Sequence, residues 1–129
     1  MTQLCTASYR AFRPGWGQPV CTSLGLPKWR PEAEQWPRAW VLTPTWALFG
    51  VKDWDEFRVA YLARLDGFGP RKIARTLERI AREHEAERLV LLCHEGDWAR
   101  CHRGLIAEYL LTRTGEVVEE LRLTEGERS

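Results

Sequence analysis

Between Cys93 and Arg103 the chain places two thiols, two imidazoles, two carboxylates and two guanidinium groups. The residues are Cys93, His94, Glu95, Asp97, Arg100, Cys101, His102 and Arg103. Three kinds of chemistry draw on such a set. A thiol beside a cation and a helix N-terminus is held as thiolate and becomes a nucleophile. Cys93, His94, Cys101 and His102 offer four ligand types that zinc accepts. His102 with Glu95 offers a general acid–base pair.

Spacing discriminates among them. In the cysteine phosphatase and rhodanese signature an arginine follows the cysteine at a fixed short interval. Arg100 comes one residue too late after Cys93. For zinc, no Cys-x-x-Cys pair exists, and adjacent Cys-His pairs do not easily both point inward. No metal and no cofactor is therefore assigned from the sequence.

The elements around these residues set where they stand. Leu89 to Leu92 is a short apolar run that reads as a strand buried on both faces. Leu105, Ile106, Tyr109 and Leu110 recur at helical spacing, with Arg113 in the last turn and Gly115 as cap. Asp97 is a candidate N-cap, with a start nearer Cys101 as the alternative. Val117 to Leu123 suggests a further strand. Strand, loop, helix and strand make a crossover in a parallel sheet. Ligands in such sheets bind beyond the carboxyl ends of the strands. A helix N-terminus there presents free N–H groups and partial positive charge. An anion or phosphate site follows, with Arg103, Arg100, Lys28 and Arg10 as its cations and Cys93, Glu95, Cys101 and His102 as its reactive groups. The competing reading is ordinary capping with a buried, structural Cys-His-Arg cluster.

Leu91-Leu92-Cys93-x-Glu95 followed by Cys101-His102-Arg103 resembles the signature of domain-of-unknown-function family 488. Thr6 to Arg10, Gly25 to Trp29, Leu42-Thr43-Pro44 and the helix from Phe57 to Leu65 resemble its other segments. The resemblance extends from about Leu4 to Leu121. His94 departs from it, an aromatic or apolar residue being more usual there. The resemblance implies a single α/β domain and supports Cys93, Glu95, Cys101, His102 and Arg103 as the site. It implies no substrate.

With 129 residues the chain makes one domain with a real core. Nineteen basic residues against eighteen acidic ones exclude a chain-wide electrostatic grip on nucleic acid. No apolar run approaches membrane-spanning length, and the N-terminus lacks a signal-peptide pattern. The expectation is a cytoplasmic protein with reduced thiols and no membrane contact.

Gln3 to Ala7 reads as a first strand. Phe12 to Pro37, rich in Pro, Gly and Trp, reads as an ordered irregular loop. It interleaves Arg13, Lys28 and Arg30 with Trp16, Trp29 and Trp36, a pattern that can hold phosphates and stack bases. Trp40 to Leu42 reads as a short central strand ended by Pro44. A helix begins at Lys52 or Asp53 and breaks at Asp66 to Pro70, where a second helix starts. Leu65-x-Gly67-Phe68-Gly69 before that basic helix resembles a DNA-binding helical hairpin. A Gly cap followed by Pro also joins helices with no such role.

The sequence therefore predicts a single α/β domain over residues 1–129. It has a small, mostly parallel sheet, helices on both faces, and an acidic flexible tail from about residue 124. The strands are Gln3 to Ala7, Trp40 to Leu42, Arg88 to Cys93 and Glu116 to Leu121. The functional expectation is an enzyme or nucleotide-handling domain acting on a phosphate-containing small molecule. The alternative is a non-catalytic nucleic-acid-binding module that uses the basic tryptophan loop and the glycine hairpin.

Overall fold

The structure, a computed structural model, describes residues 2–94 and 101–123. Glu95, Asp97, Arg100 and the tail from residue 124 lie outside the described residues. The domain is built on an all-parallel sheet of four strands: β1 (Gln3–Ser8), β2 (Gln18–Cys21), β3 (Arg88–Cys93) and β4 (Glu119–Glu120). Their order is β2-β3-β1-β4. Four α-helices accompany them: α1 (Trp46–Phe49), α2 (Trp54–Phe68), α3 (Pro70–Glu83) and α4 (His102–Thr114). No helix among the described residues is long and apolar enough to cross a membrane.

The period-two pleat of β3 divides its side chains between two cores. Leu89 and Leu91 join a cluster with Tyr61, Leu65, Ile73, Leu77, Ile106 and Leu110 from α2, α3 and α4. Val90 and Leu92 join Ala7, Tyr9, Phe12 and Cys21, against which Trp16, Leu26 and Trp36 pack. Both faces thus carry helical cover of different kinds. One has α-helices; the other has the tryptophan-rich segment with its 3-10 turns at Pro14–Trp16 and Pro31–Gln35. Two tryptophans of that segment pack against this core, the Trp16 and Trp36 rings both meeting Phe12 edge-on, while Trp29 is exposed.

Two of the expected strands need correction. Trp40–Leu42 is a 3-10 turn, not a central strand. Its amides close locally, Leu42 N on Ala39 O at 3.0 Å and Thr43 N on Trp40 O at 3.1 Å. Contact with the sheet ends at the single bridge of Cys21 with Arg38, after the donorless Pro37. The missing strand is β2, inside the stretch read as irregular. Pro19 disguised it, and Pro19 is tolerated because β2 is an edge strand. The last strand is shorter than Glu116 to Leu121 and is confined to Glu119–Glu120.

The helix boundaries follow the local chemistry. Asp53 caps α2 by accepting from Glu56 N at 3.0 Å. Gly69, at φ 87°, turns the chain so that Pro70 can open α3. Gly115, left-handed at φ 75°, ends α4. Tyr61, fully buried in α2, donates to Leu42 O at 2.6 Å and ties α2 to the 3-10 turn. Tyr61→Phe leaves that carbonyl buried without its donor. An unfolding free energy about 1.5 kcal/mol lower is expected in urea titration; a loss under about 0.5 kcal/mol would show the bond to be dispensable.

Connection handedness fixes where a cleft must open. From β1 the chain moves one way across the sheet to β2 through the tryptophan-rich face. From β2 to β3, and from β3 to β4, it moves the opposite way over the α-helical face. Right-handed crossovers require that reversal of direction to come with a reversal of face. The chains leaving the adjacent β1 and β3 therefore part to opposite sides, and a crevice lies beyond their carboxyl ends.

Candidate functional site

Cys93 is the last residue of β3 and shares its α-helical side with Leu91. Cys101 occupies the N-cap of α4 with extended backbone, φ −126° and ψ 148°, and His102 is the first helical residue. That change of backbone at the cap lets neighbouring Cys101 and His102 face the same point. The expectation that adjacent Cys-His pairs diverge holds on the strand, where His94 goes to the other side and meets the Tyr9 ring at 4.8 Å. It fails at the helix start. Cys93 and Cys101 are joined sulfur to sulfur as a disulfide. Their Cα atoms stand 7.6 Å apart, wider than the roughly 7 Å a relaxed disulfide spans. The backbone suits two sulfurs converging on a shared point.

His102 is held by a residue far away in sequence. Its Nε2 lies 2.7 Å from the carbonyl oxygen of Thr22 and 3.0 Å from Thr22 Oγ1. A carbonyl only accepts, so Nε2 carries the proton and Nδ1 keeps its lone pair. Nδ1 faces Cys101 Sγ at 4.0 Å. Burial pushes the imidazole down to about 4, with Arg103 and His94 adding in the same direction against the Thr22 bond. His102 is thus neutral near pH 7. It is too weak a base to take a thiol proton, so its lone pair serves as an acceptor or ligand.

Arg103 is fully buried. Its Nε sits 3.0 Å from Glu120 Oε1 and its Nη2 3.0 Å from Oε2, a two-pronged pairing of fork and carboxylate. Thr6 Oγ1 donates to the same carboxylate at 2.7 Å. The remaining prong, Nη1, donates to Cys93 Sγ at 3.1 Å. Once the pair is reduced, that contact sets a cation directly against the Cys93 sulfur. It stands behind the sulfur as counter-ion, not in the open as an anion receptor.

These groups form the floor of a cleft of about 220 Å³ beyond the strand ends. Cys93, Cys101 and His102 line it below, and Leu24, Pro44, Phe49, Val51, Trp54 and Phe57 form apolar walls. Rings run inward from the wall: Trp54 stacks on Phe57 at 5.5 Å, Phe57 on Tyr61 at 5.7 Å, and Tyr61 meets His102 edge-on at 5.7 Å. Lys52 and His94 also line the cleft, His94 Nε2 donating to Gly25 O at 2.6 Å.

The structure brings together Cys93, Cys101, His102 and Arg103. Lys28 and Arg10, expected to reach the same cleft, are exposed and do not line it. Arg30 lies over the Phe12 and Trp36 rings and donates to Tyr9 O and Phe12 O, so its charge is used inside the loop. Arg71, Lys72, Arg75, Arg79 and Arg82 form the solvated face of α3. Cys5 and Cys21 are free and buried apart from the site, and burial raises both thiols. Sequence reasoning missed Thr22, Lys52 and Glu120. Only Glu120 carried a signal, since an acid at a half-buried strand position demands a partner.

The family described as domain of unknown function DUF488 matches residues 25–110. That span covers two thirds of the chain, and the chain belongs to this family. It includes Cys93 and the start of α4 and leaves out Thr22 and Glu120, which hold His102 and Arg103. No curated protein and no solved structure matches the chain.

Proposed function

We propose that this member of the DUF488 family is an enzyme domain whose reacting groups are the sulfurs of Cys93 and Cys101, acting on a small molecule seated in the cleft. One observation carries this reading: a guanidinium with a dedicated carboxylate is aimed at Cys93 Sγ on the floor of an aromatic-walled cleft. A purely structural thiol has no need of a cation behind it. Arg103 makes the thiolate, Glu120 holds Arg103, and Thr22 fixes the His102 tautomer. Glu95, outside the described residues, remains the sequence's candidate for proton transfer.

The walls suggest the substrate class. A flat or apolar body suits Trp54, Phe57 and Phe49. An anionic end suits Lys52 and the N-terminus of α4. A phosphate-containing small molecule such as a nucleotide combines the two. The nucleic-acid reading has less support, because Trp16, Trp36 and Arg30 are engaged in the protein's own core.

Thiol reactivity tests the proposal. The reduced, chelator-treated chain is exposed to iodoacetamide at pH 7, and each cysteine is followed by mass spectrometry. Cys5 and Cys21 serve as internal standards. Cys93 or Cys101 is expected to alkylate at least about tenfold faster than either standard. A nucleotide that fills the cleft slows that reaction and leaves the standards unchanged. Equal, slow labelling of all four cysteines until the chain unfolds would make the cluster structural and defeat the proposal.

A further inference from the structure

We infer that Cys93, Cys101 and His102 hold a divalent zinc-type cation with a fourth coordination position open to the cleft. The inference rests on the reading of the cleft floor as a sulfur-centred reaction site, and it names the group that organises those sulfurs.

Three observations lead to it. Two Sγ atoms and the imidazole nitrogen lie within 4.8 Å of one another, the set that forms a metal-sized cluster among the described residues. Tetrahedral zinc at its usual bond lengths separates two sulfurs by about 3.8 Å, and sulfur from nitrogen by about 3.5 Å. With Cα atoms 7.6 Å apart, the two cysteines can open to that spacing by side-chain rotation. The backbone geometry thus accommodates a cation between the sulfurs.

The second observation is the histidine tautomer. Metal-bound histidines commonly donate their other N–H to a backbone carbonyl or carboxylate, which orients the ring and raises its donor strength. His102 Nε2 is in that relation to the Thr22 carbonyl, and Nδ1 is the nitrogen turned toward the sulfurs. Hydrogen bonding has prepared this imidazole as a lone-pair donor before any ligand arrives.

The third is charge. In the reduced pair two thiolates side by side at a nearly buried floor would repel each other, and Arg103, which meets Cys93, already has its charge matched by Glu120. A dication makes the two-thiolate, one-imidazole set neutral. Arg103 then acts as an outer partner of one thiolate, as hydrogen-bond donors to zinc thiolates do. Two cysteines and one histidine with an open fourth position match the composition of catalytic rather than structural zinc. Such a cation would polarise a ligand oxygen or bind a water within the cleft. An anionic ligand end would meet it directly.

Cobalt(II) is the probe. The full chain is reduced anaerobically, stripped with chelator and titrated with Co(II), then with Zn(II) in competition with a chromophoric chelator. One equivalent of Co(II) is expected to give the visible bands of tetrahedral cobalt and a near-ultraviolet thiolate charge-transfer band. Zn(II) should abolish both. Cys101→Ser and His102→Asn should each weaken binding by more than about 100-fold, with circular dichroism confirming the fold. Thr22→Val, which leaves all three ligands in place, should weaken it less. A folded, reduced chain that binds no cobalt overturns the inference. So does binding that survives Cys93→Ser and Cys101→Ser unchanged. A negative cobalt titration with fast Cys93 alkylation would remove the metal and leave the reactive thiol standing; slow alkylation with a positive titration would do the reverse.

Discussion

Replacing Arg103 by methionine is expected to lower the unfolding free energy by about 3–5 kcal/mol. The side chain is fully buried, and its partner Glu120 is nearly so at 11% exposure. Methionine keeps most of the volume, so the loss reports charge and hydrogen bonding, not a cavity. It leaves the Glu120 carboxylate with Thr6 Oγ1 as its side-chain donor among the described residues, and it strands the Cys93 sulfur. Removing one member of such a pair costs more than the pair was worth, because the other is left charged in a poor solvent. The structure also shows where the strain would vent. β4 is two residues long, pairs among the described residues with β1 alone, and is anchored by Leu121 N on Thr6 O at 2.7 Å. Partial release of β4 would let Glu120 reach water and bring the cost toward the lower end. Urea titration measures the loss, and hydrogen exchange at Leu121 reports the release. Adding Glu120→Gln to Arg103→Met should recover part of the stability, since the uncompensated charge is gone. A loss under 1 kcal/mol would mean that Glu120 is not committed to Arg103 in solution.

The second large effect is on pH. Folding holds His102 at about 4, below the ordinary 6.5 of an exposed imidazole. Between those values the unfolded chain binds a proton at this site and the folded chain does not. Stability is therefore whole above about 6.5 and falls as pH drops toward 4. In chelator, so that no cation competes, the unfolding free energy should fall by about 2 kcal/mol between pH 7 and pH 5 on account of this one residue. The sign follows from burial: an imidazolium would lose hydration and place its second proton against the sulfurs. His102→Asn removes the titration, and its stability profile over the same interval should be flatter by that amount. Parallel profiles in the two proteins would show that the imidazole is solvated.

The chemistry of the last third was legible because it was local. Cys93, Cys101, His102 and Arg103 lie along one strand-to-helix passage. Apolar periodicity in Leu89 to Leu92 and in Leu105 to Leu110 sufficed to put them at a strand end. β3 and the start of α3 at Pro70 were equally plain, since length, glycine and proline marked them. What could not be read was pairing over distance. Thr22 and His102 are eighty positions apart, and nothing in a threonine announces a carbonyl aimed at an imidazole. β2 was hidden because Pro19 argues against a strand until the strand is known to be an edge. Trp40 to Leu42 misled for the opposite reason: three bulky residues suit a strand, but the flanking prolines and the Tyr61 hydroxyl settle them in a turn. The cations were harder still. Lys28 and Lys52 both follow a turn, and only the path of the chain decides that Lys52 reaches the cleft.

The sheet's register bears on how the molecule is made. β1 is synthesised before the other three strands, yet it occupies the interior of the sheet, with β3 on one side and β4 on the other. Gln3 pairs with Arg88, so at ordinary rates of translation about 4–17 s separate the birth of the two partners. During that interval β1 lacks its β3 neighbour, and β2 does not replace it because among the described strands it pairs with β3. Contacts this distant in sequence also slow the closing step itself. β1 therefore emerges well before the strand that covers its edge, and chaperones that shield extended segments have a natural point of engagement there.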